Sequence, residues 1–168
     1  MAAARRLTLL RHASAAPADS GTPDQQRPLD ESGKRDAPLM GQRLRDSGAR
    51  PSLLLTSPAQ RALQTAYFVA QELAYPREFL QREADLYLAP PKLILEVLAR
   101  QDDAFHDILV CGHNPGLTDL ANRLTGASIG SIPPCGLVVI EAPITQWCDL
   151  DAGARLVLFD YPGRPPAS

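Results

Sequence analysis

Three times along this chain a short apolar run ends in a polar junction and is followed by a segment built to start a helix. Leu7-Thr8-Leu9-Leu10 runs into Arg11-His12, residues 52–56 (SLLLT) into Ser57-Pro58, and residues 107–112 (DILVCG) into His113-Asn114-Pro115. Apolar runs of about 4–8 residues bounded by turn formers suit strands covered on both faces. A polar side chain followed by proline suits the start of a helix, where the missing proline N–H costs nothing.

The remaining segments fit the same alternation. Residues 6–10 read as the first strand, and 136–142 and 154–160 as two late ones. Helices are expected over about 31–47, from Pro58 onward, over 91–100 and over 115–125. In the second of these, Ala62, Ala66, Val69 and Leu73 form an inward stripe, and Ser57 with Gln60 has capping-box spacing. Pro38 should kink or restart the helix over 31–47, because an interior proline removes a hydrogen bond. Residues 13–28 have no periodicity and read as a long loop, a kind that is usually functional or mobile. Residues 78–90 fit a short strand and a loop.

Strands alternating with helices imply an α/β fold: a three-layer α/β/α sandwich around a mainly parallel sheet. In such a sheet the three junctions open on one edge, the edge where ligands bind, so residues 100 apart in sequence can share a pocket. With 168 residues, one domain over 1–161 and a flexible tail over 162–168 is the expected organisation.

Composition narrows the partners. The formal net charge is -2 and the basic residues are scattered, so neither nucleic acid nor membrane is indicated. Cys111, Cys135 and Cys148 form no C-x-x-C pair, which argues against a disulfide framework or zinc site and for a reducing, cytoplasmic setting. The apolar run after Arg5-Arg6 is too short for a signal peptide.

Two histidines and two arginines at the junctions, without metal-ligand spacing or an acidic cluster, point to an oxyanion such as phosphate. Arginine offers a fixed fork of donors matched to phosphate, and helix N-termini at Ser57 and Asn114 would add backbone N–H groups. His12 could attack phosphorus from one ring nitrogen if a carbonyl holds the other N–H. Arg11, Arg61 and a protonated His113 would then stabilise the transferring group.

LTLLRHASA (7–15), RPLDESG (27–33), SPAQRALQTA (57–66) and CGHNPGL (111–117) together resemble the histidine phosphatase superfamily, which has the phosphoglycerate mutase-like fold. The likeness is greatest to SixA-type phosphohistidine phosphatases. It implies that His12 carries the phosphoryl group as a phosphohistidine, that Arg11, Arg61 and His113 complete the pocket, and that no cofactor or metal is needed. It also implies that Arg27 touches phosphate or substrate, and that the Asn114 backbone supports the pocket. Many relatives have a glutamate proton donor; here Glu83 and Asp85 are the candidates, without a clear match.

A weak or missing acid would favour P–N over P–O substrates, because an imidazole leaves with less help than an alkoxide. The expected activity is therefore metal-independent hydrolysis of phosphohistidine in a partner protein. The alternatives are a small-molecule phosphomonoesterase, acting on a sugar phosphate or nucleotide, and a non-catalytic phosphoprotein-binding module.

Overall fold

The computed structural model describes residues 4–165. Six strands, β1 (Arg5–Arg11), β2 (Leu53–Thr56), β3 (Gln81–Arg82), β4 (Asp107–Gly112), β5 (Leu137–Ala142) and β6 (Arg155–Asp160), form one sheet in the order β3-β2-β4-β1-β5-β6. The β3-β2-β4-β1 block is parallel, β5 is antiparallel to β1, and β6 is antiparallel to β5. Four helices cover it: α1 (Glu31–Asp46), α2 (Gln60–Glu72), α3 (Pro91–Ala99) and α4 (Gly116–Thr125).

Strand alternation divides the apolar side chains between two cores. Leu7, Leu9, Leu53, Leu55, Ile108 and Val110 face α3 and α4 with Val97, Leu98, Leu120 and Leu124. Leu10, Leu54, Leu109 and Cys111 face α1 and α2 with Met40, Leu44, Ala66 and Val69. Each such leucine contributes about 1.5–3 kcal/mol on burial, so both faces must stay covered. The three-layer α/β/α sandwich follows directly.

Pro38 lies inside α1 without interrupting it. The carbonyl it deprives of a partner belongs to exposed Lys34, where water can substitute. Helix α2 starts later than its Ser57-Pro58 signal: Ala59 is the N-cap and makes no side-chain cap bond. The Ser57 hydroxyl does accept from the Ala59 N–H at 3.2 Å. In the 78–90 segment only Gln81–Arg82 is strand, flanked by single helical turns at Arg77–Phe79 and Ala84–Leu86. Of the tail, residues 161–164 form a turn in which the Arg164 N–H donates to the Tyr161 carbonyl at 3.1 Å; residues 166–168 lie outside the described chain.

The long loop after β1 is pinned at its base. Asp30 caps α1 by accepting from the Gly33 N–H at 2.8 Å, and its other oxygen accepts from the Ser14 hydroxyl at 2.6 Å. The Ala16 N–H donates to the Pro28 carbonyl at 2.8 Å. Gly33 allows this approach, since a Cβ there would lie 2.2 Å from the Ser14 carbonyl oxygen. Between these anchors the loop makes a turn at residues 19–22, where the Thr22 N–H donates to the Asp19 carbonyl at 3.0 Å, and a single helical turn at Asp24–Gln26, beside the carboxyl ends of the strands.

Candidate active site

His12 follows the last residue of β1, and its main chain is held from two sides. Its N–H donates to the Gly112 carbonyl at 3.1 Å, and its carbonyl accepts from the Cys135 N–H at 3.0 Å. The imidazole Nδ1 lies 2.8 Å from the Ala13 carbonyl oxygen. A carbonyl can only accept, so Nδ1 carries the proton and Nε2 is left with its lone pair. Burial lowers the His12 pKa to about 4, with Arg61, Arg11 and Arg27 adding to the effect against the opposing pull of the Ala13 carbonyl. At neutral pH the His12 imidazole is therefore uncharged, with the lone pair of Nε2 available.

His113, at the end of β4, stands with its ring centroid 5.3 Å from that of His12. Its Nε2 is 2.7 Å from the Ser57 hydroxyl oxygen. Because that oxygen already accepts from the Ala59 N–H, its own proton is suited to His113 Nε2, which places the imidazole proton on Nδ1. Burial first, then the neighbouring His12 and Arg61, push the His113 pKa down to about 3. The protonated His113 expected from the sequence is therefore neutral in the ligand-free site; an incoming phosphoryl dianion is the charge that would raise it.

Arg11 and Arg61 are each held by protein acceptors. Arg11 Nη1 donates to the Ile132 carbonyl at 2.8 Å. Arg61, only 3% exposed, donates through Nη1 to the Asp24 carbonyl at 2.7 Å and through Nη2 to the Asp24 carboxylate at 3.0 Å. Yet Arg11 Nε, Arg61 Nε and His113 Nδ1 are buried with no hydrogen-bond partner among the described residues. Arg5 Nε and Arg6 Nε, at the far end of β1, are unpartnered too; what sets Arg11, Arg61 and His113 apart is where they sit. All three residues line one open cavity of about 610 Å³, along with His12, Arg27 and Asn114.

Asn114 serves mainly to build the wall. Its Nδ2 donates to the Ile132 carbonyl at 2.9 Å and its Oδ1 accepts from the Thr118 hydroxyl at 2.8 Å, tying α4 to the segment that also holds Arg11. Neither Glu83 nor Asp85 is among the residues lining the cavity. Asp85 is ion-paired with Arg100 at 3.0 Å on the surface, which turns it away from a proton-donor role.

Asp24 and Tyr87 are among the cavity residues that the sequence reading missed. Asp24 accepts from Arg27 Nε at 3.0 Å, from Arg61 Nη2 at 3.0 Å and from the Tyr87 hydroxyl. These donors, Tyr87 first, hold its pKa down to about 2. Tyr87 packs edge-on against His113 with ring centroids 5.5 Å apart. The i,i+3 spacing of Asp24 and Arg27 was a readable signal of an ion pair. For Tyr87, in an aperiodic segment, no comparable signal existed.

Two histidines and two arginines thus meet in one cavity at the carboxyl edge of the sheet, and residues 7–86 match the histidine phosphatase superfamily (branch 1). The chain belongs to that superfamily. It is SixA-like within it: the fold superposes on SixA of Nakamurella multipartitia with a TM-score of 0.82 at 27% identity, over 97% of this chain and 99% of that one. SixA of Agrobacterium tumefaciens gives 0.78 at 28% identity, over 95% and 99%. Among sequence relatives, the uncharacterized protein Rv1276c of Mycobacterium tuberculosis is 33% identical over 164 residues, covering 91% of this chain and 99% of that one.

Proposed function

We propose that this protein hydrolyses phosphohistidine in a partner protein, using His12 as a transient phosphoryl carrier. In the first step His12 Nε2 attacks phosphorus and the P–N bond to the substrate imidazole breaks. A substrate ring already protonated at its far nitrogen leaves as a neutral imidazole. In the second step water attacks phospho-His12, the new P–N bond breaks and inorganic phosphate departs. Arg11, Arg61 and His113 supply donors to the phosphoryl oxygens in both steps, where positioning and charge stabilisation carry most of the catalysis.

The observation that carries the substrate class is the state of Asp24. It is the one carboxylate among the described cavity residues, and it is held ionised, so it offers no proton to an alkoxide leaving group. Tyr87 is no better a donor, because its hydroxyl is engaged by Asp24, which raises its pKa. A general acid is typically worth about 10²–10⁴-fold, and a P–O ester would forgo it. The SixA likeness at 27–28% identity supports the same substrate class.

The test compares wild type and His12→Ala on a phosphohistidine peptide and a panel of phosphomonoesters. Wild type should cleave the P–N bond at least ~10²-fold faster than unactivated esters and form an acid-labile, base-stable phosphoenzyme. Faster turnover of a simple sugar phosphate would instead indicate a small-molecule phosphatase. Binding of phosphoprotein without any phosphoenzyme would indicate a non-catalytic module.

A further inference from the structure

We propose that Asp24 is a positioning residue that sets the Arg61 and Arg27 guanidinium groups for the phosphoryl group, with Tyr87 bracing it against His113. The inference rests on the proposed phosphoryl-transfer site but not on its substrate class. Asp24 is clamped at three points: one carboxylate oxygen takes Arg27 Nε at 3.0 Å, the other takes Arg61 Nη2 at 3.0 Å, and the backbone carbonyl takes Arg61 Nη1 at 2.7 Å. Both terminal nitrogens of Arg61 are thereby fixed, and Nε remains as its buried donor without a partner. A guanidinium held along one edge cannot rotate in its pocket, so its orientation is set before any anion arrives.

A carboxylate can also sit beside arginines as a competitor that occupies the anion's place. The geometry speaks against this for Asp24. A competitor standing where phosphate binds would take the donors that converge there, yet Asp24 makes no hydrogen bond to His12, Arg11 or His113. It also holds Arg61 partly through its main chain, a contact that a displaceable plug does not require. Tyr87 completes the arrangement, donating to Asp24 while its ring lies edge-on to His113. One carboxylate thus links Arg61, Arg27 and, through Tyr87, the His113 side of the pocket.

The two roles predict opposite signs when the carboxylate is removed and then returned from solution. The Asp24 side chain is 46% exposed, so Asp24→Ala opens a gap that formate can enter. Phosphoryl transfer from phosphoramidate to His12 is measured in wild type, Asp24→Ala, Asp24→Asn and Tyr87→Phe, with formate or chloride at equal ionic strength. Vanadate binding to the same proteins is followed by calorimetry, because vanadate adopts the geometry of the transferring group.

For a positioning role, Asp24→Ala loses roughly 10- to 100-fold in transfer rate and in vanadate affinity. Formate restores several-fold of both, Asp24→Asn falls between, and Tyr87→Phe loses roughly 2- to 10-fold. Activity at or above wild type in Asp24→Ala, or inhibition of that variant by formate, overturns the proposal. If wild type takes no phosphoryl group from phosphoramidate, the functional reading fails, and the vanadate arm still decides the role of Asp24.

Discussion

The two ends of the sheet each bury an arginine, and they use it differently. At the amino end of β1, Arg5 donates to His106 Nδ1 and to the Asp103 and Thr145 carbonyls, all at 2.9 Å. Its terminal nitrogens staple β1 to two distant loops. At the carboxyl end, Arg61 is held by one loop residue and shares a cavity of about 610 Å³ with Arg11 and His113, each with an unpartnered donor, whereas the unpartnered Arg5 Nε and Arg6 Nε belong to residues that do not line it. Burial of a charged side chain, even one with an unpartnered donor, therefore does not identify a site; the gathering of several such residues around one cavity does.

The sharpest way to break this contrast is at the nucleophile. His12→Ala should lower phosphoryl transfer by at least ~10⁴-fold, measured as phosphoenzyme formation, while the fold survives. Residual phosphoenzyme at wild-type level would move the chemistry to another residue. Next in size is Arg61→Ala, expected to cost ~2.7–4 kcal/mol of transition-state stabilisation, or about 10²–10³-fold in kcat. Arg5→Ala should do the reverse, costing roughly 1–3 kcal/mol in urea unfolding with kcat unchanged, because it removes three hydrogen bonds of a buried guanidinium. Equal effects of the two arginine substitutions on kcat would dissolve the distinction between the two ends.

The same contrast governs what could be read from residues alone. The strands, the layers and the meeting of Arg11, His12, Arg61 and His113 were legible because they follow from periodicity and from parallel strands opening on one edge. His106 reads from sequence as an exposed residue without a role, and its partnership with Arg5 depends on a separation of 101 residues. Ser57 reads as a helix cap, whereas its hydroxyl faces His113 across 56 residues of chain. Asp24 and Tyr87 lie in segments without periodicity, where only tertiary contacts decide the geometry. Pro38 shows the opposite limit: its local rule holds, but the carbonyl it frees belongs to an exposed residue, which makes the exception cheap.

A smaller effect separates the ends by pH. His12 and His113 have folded values of about 4 and about 3, below the ordinary 6.5, so between these limits the unfolded chain binds more protons. Their contribution to stability is complete above pH 6.5 and is lost as pH falls toward 4 and 3. At pH 5 this amounts to about 1–2 kcal/mol per histidine after discounting for screening. Asp107, at the amino end, works the other way: burial raises its pKa, so its folded form gains as pH falls. Urea unfolding of wild type between pH 7.5 and 5 should therefore lose stability, and His12→Ala should flatten that slope by about half. Inorganic phosphate at pH 6 should raise the midpoint of wild type more than that of Arg61→Ala, since Arg61 lines the cavity in which an anion would bind. An equal rise in both proteins would show that phosphate acts on the surface at large, and the leftover donors at the carboxyl end would need another occupant.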